Sequence, residues 1–153
     1  VYGAAHEGAA WQHSTEYHVM WRVAFEPGEV KVVARKDGKQ VGEQTVRTAG
    51  APHHIVLKKT YQGTLAFGAS EPTTFVEVQV VDKDGNLCPN ANNQIFFSSD
   101  AKILGTDNGC QTSLERFTDP HRKAFFGKCV VVLKGKGTLT AKAVDLEQVQ
   151  IQL

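Results

Sequence analysis

The chain has 153 residues, too few for the about 250 of a (β/α)₈ barrel but enough for one ordinary domain or two small ones. Seventeen Lys and Arg against sixteen Asp and Glu leave a net charge of +1, which offers no electrostatic footprint for nucleic acid or anionic lipid. With 41% hydrophobic and 22% charged residues the composition is that of a folded domain, and its best apolar run, Val130 to Leu133, falls far short of the about 18 residues of a membrane helix.

The chain begins at Val1 and its only methionine is Met20, which reads as a processed product or a piece of a longer polypeptide. Residues 30–35 and 40–46 alternate apolar and polar around Lys36-Asp37-Gly38-Lys39, and the Asp-Gly pair supplies the positive φ angles of a tight hairpin. Small residues and a proline at Thr48-Ala49-Gly50-Ala51-Pro52 mark a boundary between two units, 1–50 and 51–153. Beyond it, strands are predicted at 55–57, 75–81, 95–97, 128–133, 138–144 and 149–153. Phe75 to Val81 alternates as cleanly, with Val76, Val78 and Val80 on one buried face, and it ends at the polar turn Asp82-Lys83-Asp84-Gly85-Asn86. Nowhere do ten residues hold a 3.6 period. The pattern predicts an all-β fold of two immunoglobulin-like β-sandwich units, the first incomplete because its 50 residues hold only three or four strands.

The chemistry-bearing residues are sparse. Cys88, Cys110 and Cys129 lack C-x-x-C spacing, so they read as small buried or half-buried thiols, with one disulfide left open. Asp82-x-Asp84-x-Asn86 imitates a calcium loop but fails at Leu87, where glycine is needed, and at Asn93, where a bidentate Glu is needed. His53 and His54 are adjacent; on a strand they would point to opposite faces and could not share a metal. No catalytic Ser elbow, phosphate-cradling Gly loop or Cys–His motif is present, so no catalytic residue, metal site or cofactor is expected. Glu71, Glu77, Glu115 and Glu147 read as solvated strand or loop residues, and Trp11, Trp21 and Tyr61 as packing residues rather than a sugar-stacking platform. The densest stretch is an excursion from Gly105 to Gly127, expected to be ordered by burial of Phe117 and Phe125 and by a Glu115–Arg122 tie. Asn108, Gly109, Glu115 and Arg122 are its candidate structural-loop residues.

The same residues carry a resemblance. Trp21 to Ala34, Lys36-Asp37-Gly38-Lys39 and Thr45 to Gly50 resemble the end of the immunoglobulin-like domain that follows the catalytic barrel in many glycoside hydrolase family 2 β-galactosidases, especially those of Bacteroidetes. Val76 to Asn86, Gly105 to Phe117 and Arg122 to Gly127 are similar to the next domain of those enzymes, a bacterial immunoglobulin-like C-terminal module. Residues 1–16 depart from the pattern, showing Gly-Ala-Ala-His-Glu-Gly-Ala-Ala where the family has a strand pair. The resemblance implies a parent β-galactosidase whose two barrel glutamates lie outside this sequence. It implies that 1–50 ends one domain and 51–153 forms the C-terminal one, and that both serve as non-catalytic accessory domains. Their partners would be the barrel and other domains of the parent, and the location the periplasm or cell surface. The competing readings are a carbohydrate-binding module, with sugar as partner, and a stand-alone adhesin-like sandwich.

Overall fold

The computed structural model describes residues 11–14, 19–64 and 70–153, with the side chains at 11–14, 19 and 21 outside that description. Among them every helix or strand is a strand, the all-β class expected from the period-two patterning. Two compact units are present, Val1–Thr48 and Ala49–Leu153. Most of residues 1–16, where a departure from the family pattern is expected, and the indoles of Trp11 and Trp21 lie outside the described residues.

In the first unit β1 (Trp11–Ser14) pairs antiparallel with β2 (Val19–Arg22), and β3 (Glu29–Lys36) with β4 (Lys39–Arg47). Asp37 at φ 51° and Gly38 at φ 77° form the two-residue connection of β3 and β4, the left-handed pair that matches the right-handed strand twist. The ribbon carries Lys31–Glu43 and Glu29–Arg47 ion pairs at 2.9 and 2.7 Å. Val30 and Val46, directly opposed, remain exposed, as does Val32.

Among its described residues the second unit has eight strands: β5 (His54–Gly63), β6 (Thr73–Val81), β7 (Gln94–Ser99), β8 (Lys102–Asp107), β9 (His121–Lys123), β10 (Lys128–Lys134), β11 (Thr138–Ala143) and β12 (Leu146–Gln152). Their lateral order is β8-β10-β6-β5-β12-β11-β7-β9. All neighbours are antiparallel except β5 and β12, joined in parallel at the pair His54–Glu147. Alternation puts Val76, Val78 and Val80 of β6 on the same inward face as Cys129, Val131 and Leu133 of β10. Ile95 and Phe97 of β7 and Leu139 and Ala141 of β11 complete the core from the other half of the sheet.

Two elements were not expected. The stretch from Gly105 to Gly127 is not one long loop: β8 runs into it as far as Asp107, and β9 interrupts it at His121–Lys123. β8 leaves Leu104 exposed and β9 is only three residues long, so neither shows a usable alternation. At the end of β6, Gly85 adopts φ 82°, and the chain turns back against Leu87 by one isolated bridge rather than opening a paired hairpin. The buried Asp82 carboxylate organises this turn. It accepts hydrogen bonds from the backbone N–H of Gly50, Asp84 and Asn86 and from the Asn86 amide, at 2.8 to 3.3 Å. The Gly50 N–H and the Asn86 side chain, foremost, hold its pKa well below the usual carboxylate range. Both oxygens are thus committed to nitrogen donors, the arrangement of a self-capped turn rather than of a cation loop.

Candidate functional site

The four candidate loop residues lie in one hydrogen-bonded network around residues 108–120, between β8 and β9. Alternation along β9 sends Arg122 inward beside Ile95, and its side chain is 1% exposed. A buried guanidinium must find acceptors for its five N–H groups. Nε donates to Thr106 Oγ1 at 3.3 Å; Nη2 donates to the carbonyls of Thr106 and Arg116, both at 2.8 Å; Nη1 donates to the Glu115 carbonyl at 3.2 Å. The Glu115 carboxylate stands 3.7 Å from Nη1, within ion-pair range. Arg122 is therefore mainly a clamp on backbone carbonyls, and its charge is balanced by Glu115.

Glu115 is not the solvated residue expected. It is 21% exposed and accepts from Gln94 Nε2 at 2.9 Å, from the Lys123 N–H at 3.1 and 3.2 Å and from Ser113 Oγ at 3.4 Å. His121 Nδ1 lies 3.6 Å away. Partial burial raises the Glu115 pKa, but the Gln94 amide, the Lys123 N–H and Arg122 outweigh it and leave the group below its ordinary value. A carboxyl held ionised in this way is unsuited to donate a proton as a glycosidic general acid, a role that needs a raised pKa.

Lys123 links this network to the turn. Its carbonyl accepts from Asn108 Nδ2 at 2.9 Å, while Asn108 Oδ1 accepts from the Cys110 N–H at 2.9 Å. Gly109, at φ 73°, donates its N–H to Asp107 Oδ1 at 3.1 Å. The aromatic residues behave differently from expectation. Phe117 is 66% exposed and Phe125 38%, so neither is buried. Arg122 occupies the interior instead, with the Phe117 ring over its guanidinium at 5.4 Å, and Phe125 packs on Phe126 with centroids 4.4 Å apart. Leu114, at the outer end of the loop, is 99% exposed beside an open hollow of about 600 Å³ that Gln94, Glu115 and His121 help to line. Gln94, Thr106 and Lys123 escaped the sequence reading because their roles come from strand register, which no local spacing announces.

The remaining candidates separate. Glu77 on β6 meets Gln79 and Lys128, and Tyr61 packs edge-on against Phe75 with centroids 5.8 Å apart. The three cysteines are free thiols. Burial pushes Cys88 up, and Cys129 up to about 12, while a hydrogen bond with Thr112 lowers Cys110. His53 and His54 overturn the expectation that their rings diverge: the two Nδ1 atoms lie 3.2 Å apart. β5 begins at His54, so His53 is outside the pleat and strand alternation does not govern it. Among the described residues no group of three or more His, Cys, Asp or Glu is placed to hold a metal ion.

Comparison with known proteins places this geometry in a family. The model of the glycoside hydrolase family 2 C-terminal domain 5 matches residues 57–152, and that of a domain of unknown function (DUF4982) matches residues 2–42. The chain is 45% identical over 143 residues to β-galactosidase BoGH2A of Bacteroides ovatus, an alignment covering 89% of this chain and 17% of that protein. Among solved structures, a β-glycosidase from Bacteroides vulgatus superposes with a TM-score of 0.80 at 32% identity, covering 92% of this chain and 19% of that one. A glycosyl hydrolase family 2 member from Bacteroides cellulosilyticus gives a TM-score of 0.77 at 26% identity, with 88% and 19% covered. The chain thus spans less than a fifth of the length of these relatives. With well over half of its residues inside the first model, the chain belongs to glycoside hydrolase family 2, as a C-terminal domain of its members.

Proposed function

We propose that this chain is a non-catalytic accessory region of a β-galactosidase, exported to the periplasm or cell surface, and that its loop 108–120 docks on other domains of the parent enzyme. In this reading residues 1–50 are the final part of one immunoglobulin-like domain and 51–153 are the C-terminal one. The observation that carries it is Leu114, 99% exposed on a loop held from beneath by the fully buried Arg122. With Phe117 also 66% exposed, the loop presents two apolar side chains on a backbone that its own hydrogen bonds already fix, so docking on a partner would cost little further ordering. The Bacteroides ovatus relative is more than five times as long as this chain, so its further domains are available as such a partner. The name of the Bacteroides ovatus relative supports β-galactosides as the parent's substrates.

Hydrogen exchange of residues 108–120 tests this, measured in the isolated chain and in the full-length parent. Stronger protection in the parent, lost with Leu114→Asp, supports docking; equal protection in both overturns it. The isolated chain should show no turnover of a chromogenic β-galactoside above buffer. One-site saturable binding of galactosides by the isolated chain would favour a carbohydrate-binding module instead.

A further inference from the structure

The histidine pair at the entry to the second unit has no part in the loop network. His53 is exposed and its N–H donates to the Val81 carbonyl at 2.8 Å, anchoring its backbone at the end of β6. His54 is half-buried and pairs with Val81 and Glu147 at the start of β5. Both backbones are therefore fixed, and the imidazoles meet nearly perpendicular at 87°, centroids 5.4 Å apart, with Nδ1 facing Nδ1.

We infer that His53 and His54 form a two-nitrogen chelate for a divalent transition-metal cation of the zinc, copper or nickel type. Two imidazole nitrogens each about 2.0–2.1 Å from a tetrahedral zinc stand about 3.3–3.4 Å apart. Adjacent positions of a square-planar copper or nickel ion bring them to about 2.8–3.0 Å. The observed 3.2 Å lies between these two spacings, about 0.1–0.2 Å from either, a shift that small ring rotations supply. In the free protein two neutral rings can share this separation only as an N–H···N hydrogen bond, with one ring protonated at Nδ1 and the other accepting. On binding a cation, the proton at the donor ring's Nδ1 shifts to its own Nε2, both Nδ1 lone pairs turn to the metal, and no net proton is lost. Imidazole nitrogens are the borderline-soft donors that select these ions over magnesium or calcium. With two protein ligands the remaining positions belong to water, so the site is an open one.

The test is titration of copper(II), and separately zinc(II), into the intact chain and into His53→Ala and His54→Ala, with imidazole nitrogen resonances followed by NMR. The expected result is one equivalent bound with both Nδ1 resonances of this pair responding first. Each substitution should weaken binding by at least the about tenfold that even losing a residue supporting a metal ligand costs. His53 is exposed, so its substitution leaves folding intact. Unchanged affinity in either variant, or first response at other histidines, overturns the chelate.

Discussion

The β3–β4 ribbon and the β6–β10 pair obey the same period-two rule and end in opposite surroundings. Val30, Val32 and Val46 of the ribbon are 49%, 38% and 65% exposed, whereas Val76, Val78 and Val80 of β6 are each at 0%. Alternation selects a strand and sorts its faces; burial depends on a second layer being supplied. In the second unit β7 and β11 supply it. Among the described residues the ribbon's ladder, turn and surface ion pairs are formed without one, and exposed ion pairs of that kind contribute about 0–1 kcal/mol each. The two regions should therefore differ sharply in how much one side chain matters.

Arg122→Ala is expected to have the largest effect, about 3–5 kcal/mol lost in denaturant-induced unfolding, because the carbonyls of Thr106, Glu115 and Arg116 lose their donor inside the fold. Arg122→Lys should not restore it, since one ammonium cannot reproduce the forked contacts. The direct comparison is Leu133→Ala, expected to cost about 2–5 kcal/mol, against Val46→Ala, expected within about 0.5 kcal/mol. Similar costs at the two sites would show that the ribbon face is covered in solution. Gly38→Ala should cost about 1–2 kcal/mol through the left-handed backbone alone, because nothing lies within 4 Å of the added Cβ.

The smallest effect appears only in acid. Asp82 has a lowered folded pKa, so its contribution is complete above the ordinary carboxylate value and is lost as pH falls toward and through the folded one. Stability measured from pH 5 down to pH 2 should decline more steeply in the wild type than in Asp82→Asn. Parallel declines would remove Asp82 as the turn's organiser.

What could be read from the sequence follows from how local each determinant is. Val76, Val78 and Val80 carry their own period, and Asp37-Gly38 carries its own turn chemistry, so both were legible. β8 and β9 were not, because an edge strand with Leu104 turned outward and a three-residue strand give no alternation to read. The loop's charged pair was visible in Glu115 and Arg122. Its Gln94 partner was not, since Gln94 lies 21 residues from Glu115 and the contact depends on the β7–β9 register. Apolar character alone does not bury Phe117 and Phe125, because the interior place goes to Arg122, which finds enough acceptors around it. His53-His54 misled because alternation was applied to a residue just outside the strand.

The link between β8 and β9 has a consequence for self-association. These are the two outermost strands of the second unit, and an outermost strand normally offers unpaired N–H and C=O groups to a neighbouring molecule. At Thr106 both are consumed within the chain: its N–H donates to the Phe117 carbonyl at 2.7 Å and its carbonyl accepts from Arg122. Loop 108–120 thus acts as a guard over the edge of β8, which carries the exposed Leu104. Loss of Arg122 would free the Thr106 carbonyl on this outermost strand, two residues from the exposed Leu104 side chain.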